Sequence, residues 1–137
     1  MSNLFTYGSL MYPEVWGRVV NGRCRSQCAT LRGYVRRKVR GETYPAIIPG
    51  AAASCLDGVL YLGITQDELE RLDRFEGNYY VRTVVGVLTA SGATVDAFAY
   101  VLKEEYRHIL SPDEWDNEAF EDHGMRRFLS DYCGFDR

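Results

Sequence analysis

Val59-Leu60-Tyr61-Leu62-Gly63-Ile64-Thr65-Gln66-Asp67-Glu68-Leu69 sets a strand directly against the start of a helix. The first half is a near-continuous apolar run, the pattern of a strand buried on both faces. Thr65 and Glu68 then form a capping box: the Thr65 hydroxyl accepts from the amide three residues on, and the Glu68 carboxylate reaches back. Ile64 and Leu69 fall at the two positions of a hydrophobic staple across that cap. The helix is predicted to run to about Glu76, with Gly77 placed to end it in a left-handed cap. A strand feeding a capped helix gives the chain both kinds of regular element.

Residues 4–7 read as a first strand that stops at Gly8, and Pro13 suits the first position of a short helix carrying Val15, Trp16, Val19 and Val20. The β-rich stretch 29–39 is broken by Gly33 into two strands or one bent strand. Prolines 45 and 49 confine the extended stretch 44–49 to an edge or a loop. Two further β-rich runs, 79–89 and 94–102, are joined by Ala90-Ser91-Gly92-Ala93 as a hairpin. From about 111 to Tyr132 a helical tail is expected, with Phe120, Gly124, Phe128 and Tyr132 on one packing stripe beside Met125 and Leu129. No repeat or linker divides the sequence, so residues 1–137 are read as one domain.

Hydrophobic residues make up 46% of the 137 and charged residues 26%, an ordinary globular balance that excludes wholesale disorder. Sixteen Lys and Arg against 19 Asp and Glu leave a formal charge of −3, with no electrostatic footprint for nucleic acid or an anionic membrane. The local cluster Arg32, Arg36, Arg37, Lys38 and Arg40 reads as the solvated face of a strand. No apolar stretch approaches the roughly 18 residues of a membrane span. Met1 is followed almost at once by the strand-like run 3–7, leaving no room for a signal peptide, so a cytoplasmic chain with four reduced cysteines is expected. Cys24 and Cys28 lack Cys-x-x-Cys spacing, and the two histidines, His108 and His123, lie far along the chain, so no metal site is expected. A monomer is the default.

One residue breaks the amphipathic pattern of the capped helix. At 100° per residue from Leu69, Leu72 lies at about 300°, Phe75 at about 240° and Glu76 at about 340°. Glu70, Arg71 and Arg74 gather at roughly 100° to 200°, the solvent side. Glu76 is therefore a carboxylate centred on the buried stripe. Burial and the negative helix C-terminus both favour its protonated form, raising its pKa toward a range useful for proton transfer at neutral pH. The plain alternative is a last-turn Glu that frays or snorkels outward.

Tyr7-Gly8-Ser9-Leu10 leaves the first strand for a loop before the Pro13 helix. Gly8 lets the backbone adopt positive φ and lets a ligand approach closely. Successive loop amides could form an anion-binding nest, with a carboxylate as one guest. The structural alternative is an everyday strand-to-loop turn. Ser9 has no Gly-x-Ser-x-Gly elbow and no nearby His, which argues against a nucleophile.

Phe5-Thr6-Tyr7-Gly8-Ser9-Leu10-Met11 resembles the Tyr-Gly-Ser-Leu substrate loop of the γ-glutamylcyclotransferase-like superfamily. Leu72-Asp73-Arg74-Phe75-Glu76-Gly77, with Tyr80-Val81-Arg82 just beyond, is similar to that superfamily's second signature around its catalytic glutamate. Gly33-Tyr34, Arg40-Gly41, Tyr44-Pro45-Ala46-Ile47, Gly58 to Gly63, Glu114-Trp115-Asp116 and Met125-Arg126-Arg127-Phe128 fit the plant avirulence-induced-gene branch. The resemblance implies a mixed α+β fold, a small β-barrel-like sheet with flanking helices. It also implies cleavage of a γ-glutamyl amide by intramolecular attack, giving 5-oxoproline and an amine, without cofactor or metal. Carried over, Glu76 is the catalytic residue, the amides of Gly8, Ser9 and Leu10 hold the substrate carboxylate, Tyr7 shapes the loop and Tyr80 forms a wall or hydrogen-bond partner. Tyr100 is a further candidate on the late strand.

The residues support three readings of function: a γ-glutamyl cyclotransferase (an acyltransferase or lyase), a non-catalytic γ-glutamyl-ligand binding or stress-response module, and an interaction protein anchored by Trp115, Phe120 and Phe128. The partner in the first two is a small-molecule γ-glutamyl compound, whose amine the sequence leaves open.

Overall fold

The computed structural model describes residues 2–20, 24–42 and 44–115. The elements run β1 Ser2–Thr6, a 3-10 turn Ser9–Met11, α1 Pro13–Val19, β2 Arg25–Arg32, β3 Tyr34–Lys38, β4 Pro45–Pro49, β5 Cys55–Ile64, α2 Gln66–Glu76, β6 Tyr80–Thr89, β7 Thr94–Leu102 and a 3-10 turn Glu104–Ile109. Five strands close a barrel in the order β1-β5-β2-β6-β7, and β3 and β4 pair as a separate two-stranded sheet. Closure comes from the parallel bridge Leu4 to Phe98, whereas the other barrel pairings are antiparallel. The sheet is thus mixed.

The unbroken apolar run of β5 has its reason in this closure. Leu60 belongs to the cluster of Phe5, Leu31, Val87 and Ala99, which fills the barrel. Its neighbour Tyr61 belongs to the cluster of Leu4, Trp16, Leu69, Leu72 and Tyr100, which lies beneath the two helices. Alternate residues therefore meet different apolar layers, and no position of the strand's second half is spent on a wet face. Trp16 of α1 stacks on Tyr61 with ring centroids 3.6 Å apart and planes 4° from parallel, fixing that helix on the barrel wall.

The helix α2 starts as its residues dictate. Glu68 N–H donates to Thr65 Oγ1 at 3.2 Å, and Thr65 N–H donates to Glu68 Oε1 at 2.8 Å. Ile64 and Leu69 are both buried across the cap. Its C-terminus differs from the expected left-handed cap. Gly77 has φ +78° but ψ −162°, a positive-φ, extended conformation, while its N–H still donates to Asp73 O at 3.1 Å. That geometry suits glycine alone and turns the chain sharply into β6.

The stretch 29–39 forms two strands in two different sheets, β2 in the barrel and β3 outside it. Pro45–Pro49 pairs only with β3, as an edge strand must. The hairpin β6–β7 forms as expected, with β6 beginning at Tyr80 rather than Tyr79, and is closed through a turn with Gly92 at φ +90°. The tail expectation is corrected for its first residues: 111–115 are not helical but an irregular segment with a bend at Pro112 and Asp113. Ser111 N–H donates to Lys38 O, Lys38 N–H donates to Asp113 O, and Val39 bridges Leu110. The open edge of β3 offers backbone partners that a helix there would leave unpaired. The stripe of Phe120, Gly124, Met125, Phe128, Leu129 and Tyr132, together with Cys133, lies outside the described residues. Cys24, Cys28 and Cys55 are free thiols, and no helix among the described residues is long and apolar enough to cross a membrane.

Candidate active site

The first strand delivers Tyr7 and Gly8 to the barrel mouth, and three side chains pin the 7–10 loop there. The Tyr61 hydroxyl donates to Leu10 O at 2.9 Å, Arg36 donates to Tyr7 O at 2.7 Å, and the Tyr7 hydroxyl donates to Tyr100 O at 2.6 Å. The turn adds Met11 N–H to Gly8 O and Tyr12 N–H to Ser9 O. The loop is thereby held from β5, β3 and β7, a rigid support for whatever binds along it.

Gly8 does not use the positive φ that glycine permits: its φ is −139°. The close approach it permits is made by Pro45, whose Cγ and Cδ would lie 2.8 Å from a Cβ at position 8. The basic cluster is also more than a solvated face. Arg36 is half-buried, sits with its guanidinium 5.4 Å from the Trp115 ring centroid, and supports the loop from beneath.

A cleft opens beside this loop, lined by Tyr7, Gly8, Ser9 and Leu10 and by Phe75, Glu76, Tyr80 and Tyr100. All six residues singled out from sequence, Tyr7, Gly8, Ser9, Leu10, Glu76 and Tyr80, border this one space. Tyr80 stands as a wall; its hydroxyl reaches Pro45 O at a long 3.4 Å. Tyr100 lies on the same boundary.

Glu76 keeps partial exposure through the cleft, yet its carboxyl is enclosed enough that burial, reinforced by the nearby charge of Asp73, pushes its pKa up to about 8. Burial and the Glu76 charge raise the Tyr7 hydroxyl as well. Asp73 was not among the residues singled out from sequence. It lies one turn before Glu76, accepts from the Tyr100 hydroxyl at 2.6 Å and has Arg82 at 3.6 Å. The i, i+3 pair of carboxylates on one helix was the available signal. A carboxyl poised near neutrality beside a pinned loop can take and return a proton without leaving its place.

A family model described as gamma-glutamyl cyclotransferase, AIG2-like, matches residues 4–117. The chain belongs to the gamma-glutamyl cyclotransferase, AIG2-like family. An AIG2-like protein C from Arabidopsis thaliana is 36% identical over 132 residues, covering 93% of this chain and 74% of the relative. The solution structure of another Arabidopsis thaliana protein aligns with TM-score 0.73 at 28% identity, over 97% of this chain and 80% of that one. A gamma-glutamyl cyclotransferase structure aligns with TM-score 0.65 at 20% identity, over 74% of this chain and 66% of that one. At that identity the likeness is one of fold. The family match embraces both the Tyr7–Leu10 loop and the helix bearing Glu76, so the cleft of this AIG2-like chain is built wholly within the matched region.

Proposed function

We propose that this AIG2-like protein is a γ-glutamyl cyclotransferase that acts on a small γ-glutamyl amide or peptide and releases 5-oxoproline and an amine. The observation that carries this reading is Glu76: a carboxyl pushed up to about 8 in a cleft that a pinned loop also lines. The substrate's own α-amine is the nucleophile, so the enzyme's task is to orient the chain and to move one proton.

The steps balance without a co-reactant. Glu76 takes a proton from the α-amine as that nitrogen attacks the γ-carbonyl carbon, forming the ring C–N bond. The Glu76 carboxyl then gives the proton to the departing nitrogen as the original amide C–N bond breaks. Gly8, Ser9 and Leu10 hold the substrate carboxylate through their amides, Tyr7 shapes the loop, and Tyr80 walls the ring-forming carbons. A pKa near 8 suits both halves, since the group must accept and donate at nearly the same pH.

The test is product analysis over a panel of γ-glutamyl amides. The expected result is 5-oxoproline and free amine in equal amounts with no glutamate. Glutamate in place of 5-oxoproline would mean hydrolysis and overturn the cyclisation. Saturable binding with no product would make the cleft that of a non-catalytic binding module.

A further inference from the structure

Glu76 borders two cavities. Next to the cleft beside the loop lies an open vestibule, and Tyr44, Phe75, Glu76 and Tyr80 line both. The vestibule's remaining walls include Arg74, Tyr79 and Tyr106. Four tyrosines, Tyr44, Tyr79, Tyr80 and Tyr106, thus line a space that shares Glu76 with the cleft and that none of the loop residues Tyr7, Gly8, Ser9 and Leu10 borders. Tyr79 is 46% exposed, yet it is held in place: Tyr106 packs edge-on against it with centroids 4.6 Å apart at 83°. Its carbonyl also accepts from Lys103 N–H at 2.8 Å.

This placement meets a requirement of the reaction. If the glutamyl head occupies the loop side, the departing nitrogen must still lie within reach of the same carboxyl that took the proton. The amine portion then projects away from the loop, into the vestibule. We propose that this vestibule is the leaving-group subsite and that it takes an amine bearing an aromatic ring and no second positive charge. The assignment rests on the cyclotransferase reading above. Rings favour offset or edge-on contact with other rings, and the Tyr79–Tyr106 pair presents a preformed surface for it. A tyrosine-lined space also suits an ammonium group, but Arg74, which also lines this space, brings a positive charge that opposes a second cation.

The experiment compares kcat/KM for γ-glutamyl phenylethylamide, γ-glutamyl ethylamide and the γ-glutamyl conjugate of a diamine, in wild type, Tyr79→Ala and Tyr79→Phe. Wild type is expected to favour the phenylethylamide roughly tenfold over each of the others. Tyr79→Ala is expected to bring that ratio close to one, and Tyr79→Phe, which keeps the ring, to preserve it. Equal kcat/KM for the three substrates, a preference for the diamine conjugate, or a ratio unmoved by Tyr79→Ala would overturn the subsite while leaving the cyclisation intact. Absence of 5-oxoproline from every substrate would overturn the cyclotransferase reading and the subsite with it.

Discussion

The Tyr100 hydroxyl donates a 2.6 Å hydrogen bond to Oδ1 of Asp73, one helical turn before Glu76. The bond ties β7 to α2 across the outside of the barrel and fixes a negative charge beside the candidate proton carrier. Burial is the larger cause of the raised Glu76 pKa and Asp73 the second. Asp73→Asn should therefore lower the Glu76 midpoint from about 8 without returning it to the ordinary carboxylate range. Carbon-detected NMR titration of the Glu76 carboxyl reads this directly. An unmoved midpoint would remove Asp73 from the electrostatics of the site.

Stability should carry the signature of the same group. Because the Glu76 pKa is raised in the folded state, the fold holds a proton that the unfolded chain releases at lower pH. Stability is therefore lost as pH climbs from the ordinary carboxylate range to about 8, and the loss levels off above that. Glu76→Gln has no such titration. Its melting temperature relative to wild type should rise between about pH 5 and pH 9, by the equivalent of about 2 kcal/mol once partial exposure is allowed for. A constant difference across that range would contradict the buried carboxyl.

Gly8 and Pro45 are expected to be coupled. Gly8→Ala sets a Cβ 2.8 Å from two proline ring carbons and should cost about 2 kcal/mol by overpacking. In a Pro45→Ala background, which lacks those carbons, most of that cost should vanish. Chemical denaturation of the four proteins in this cycle measures the coupling; simple additivity would show that the contact is not what position 8 avoids.

Thr65→Ala removes the acceptor of the Glu68 amide and breaks the capping box. The expected loss is about 1 kcal/mol, read from the denaturation midpoint at unchanged slope. Thr65→Ser, which keeps the hydroxyl, should recover most of it.

The features legible in the sequence are local ones. Thr65, Glu68, Ile64 and Leu69 lie close together along the chain, and their capping chemistry needs no tertiary partner. The Gly92 turn and the Pro13 helix start are of the same kind. The face of Glu76 is legible because helical periodicity places it between Leu69 and Leu72, before anything is known of the surfaces those leucines pack against. Long-range relations leave no such trace. Gly8 reads locally as a position free to take positive φ, but its constraint is Pro45, far along the chain, which no local pattern reveals. Arg36 looks like part of a solvated strand face until the loop carbonyl of Tyr7 is placed above it. Residues 111–115 read as helix because their neighbours show helical spacing, but the free edge of β3 claims their backbone instead. Asp73 draws no reading of its own from the sequence, because its partner, Tyr100, comes from β7.

The role of Glu76 as proton carrier is tested most directly by the rate of 5-oxoproline release in wild type and Glu76→Gln, with folding of both checked by circular dichroism and melting. The expected result is product from wild type and a fall of at least about a hundredfold in the variant, the usual worth of a positioned proton carrier. Release at an equal rate from both folded proteins would contradict the assignment of Glu76 and, with it, the mechanism.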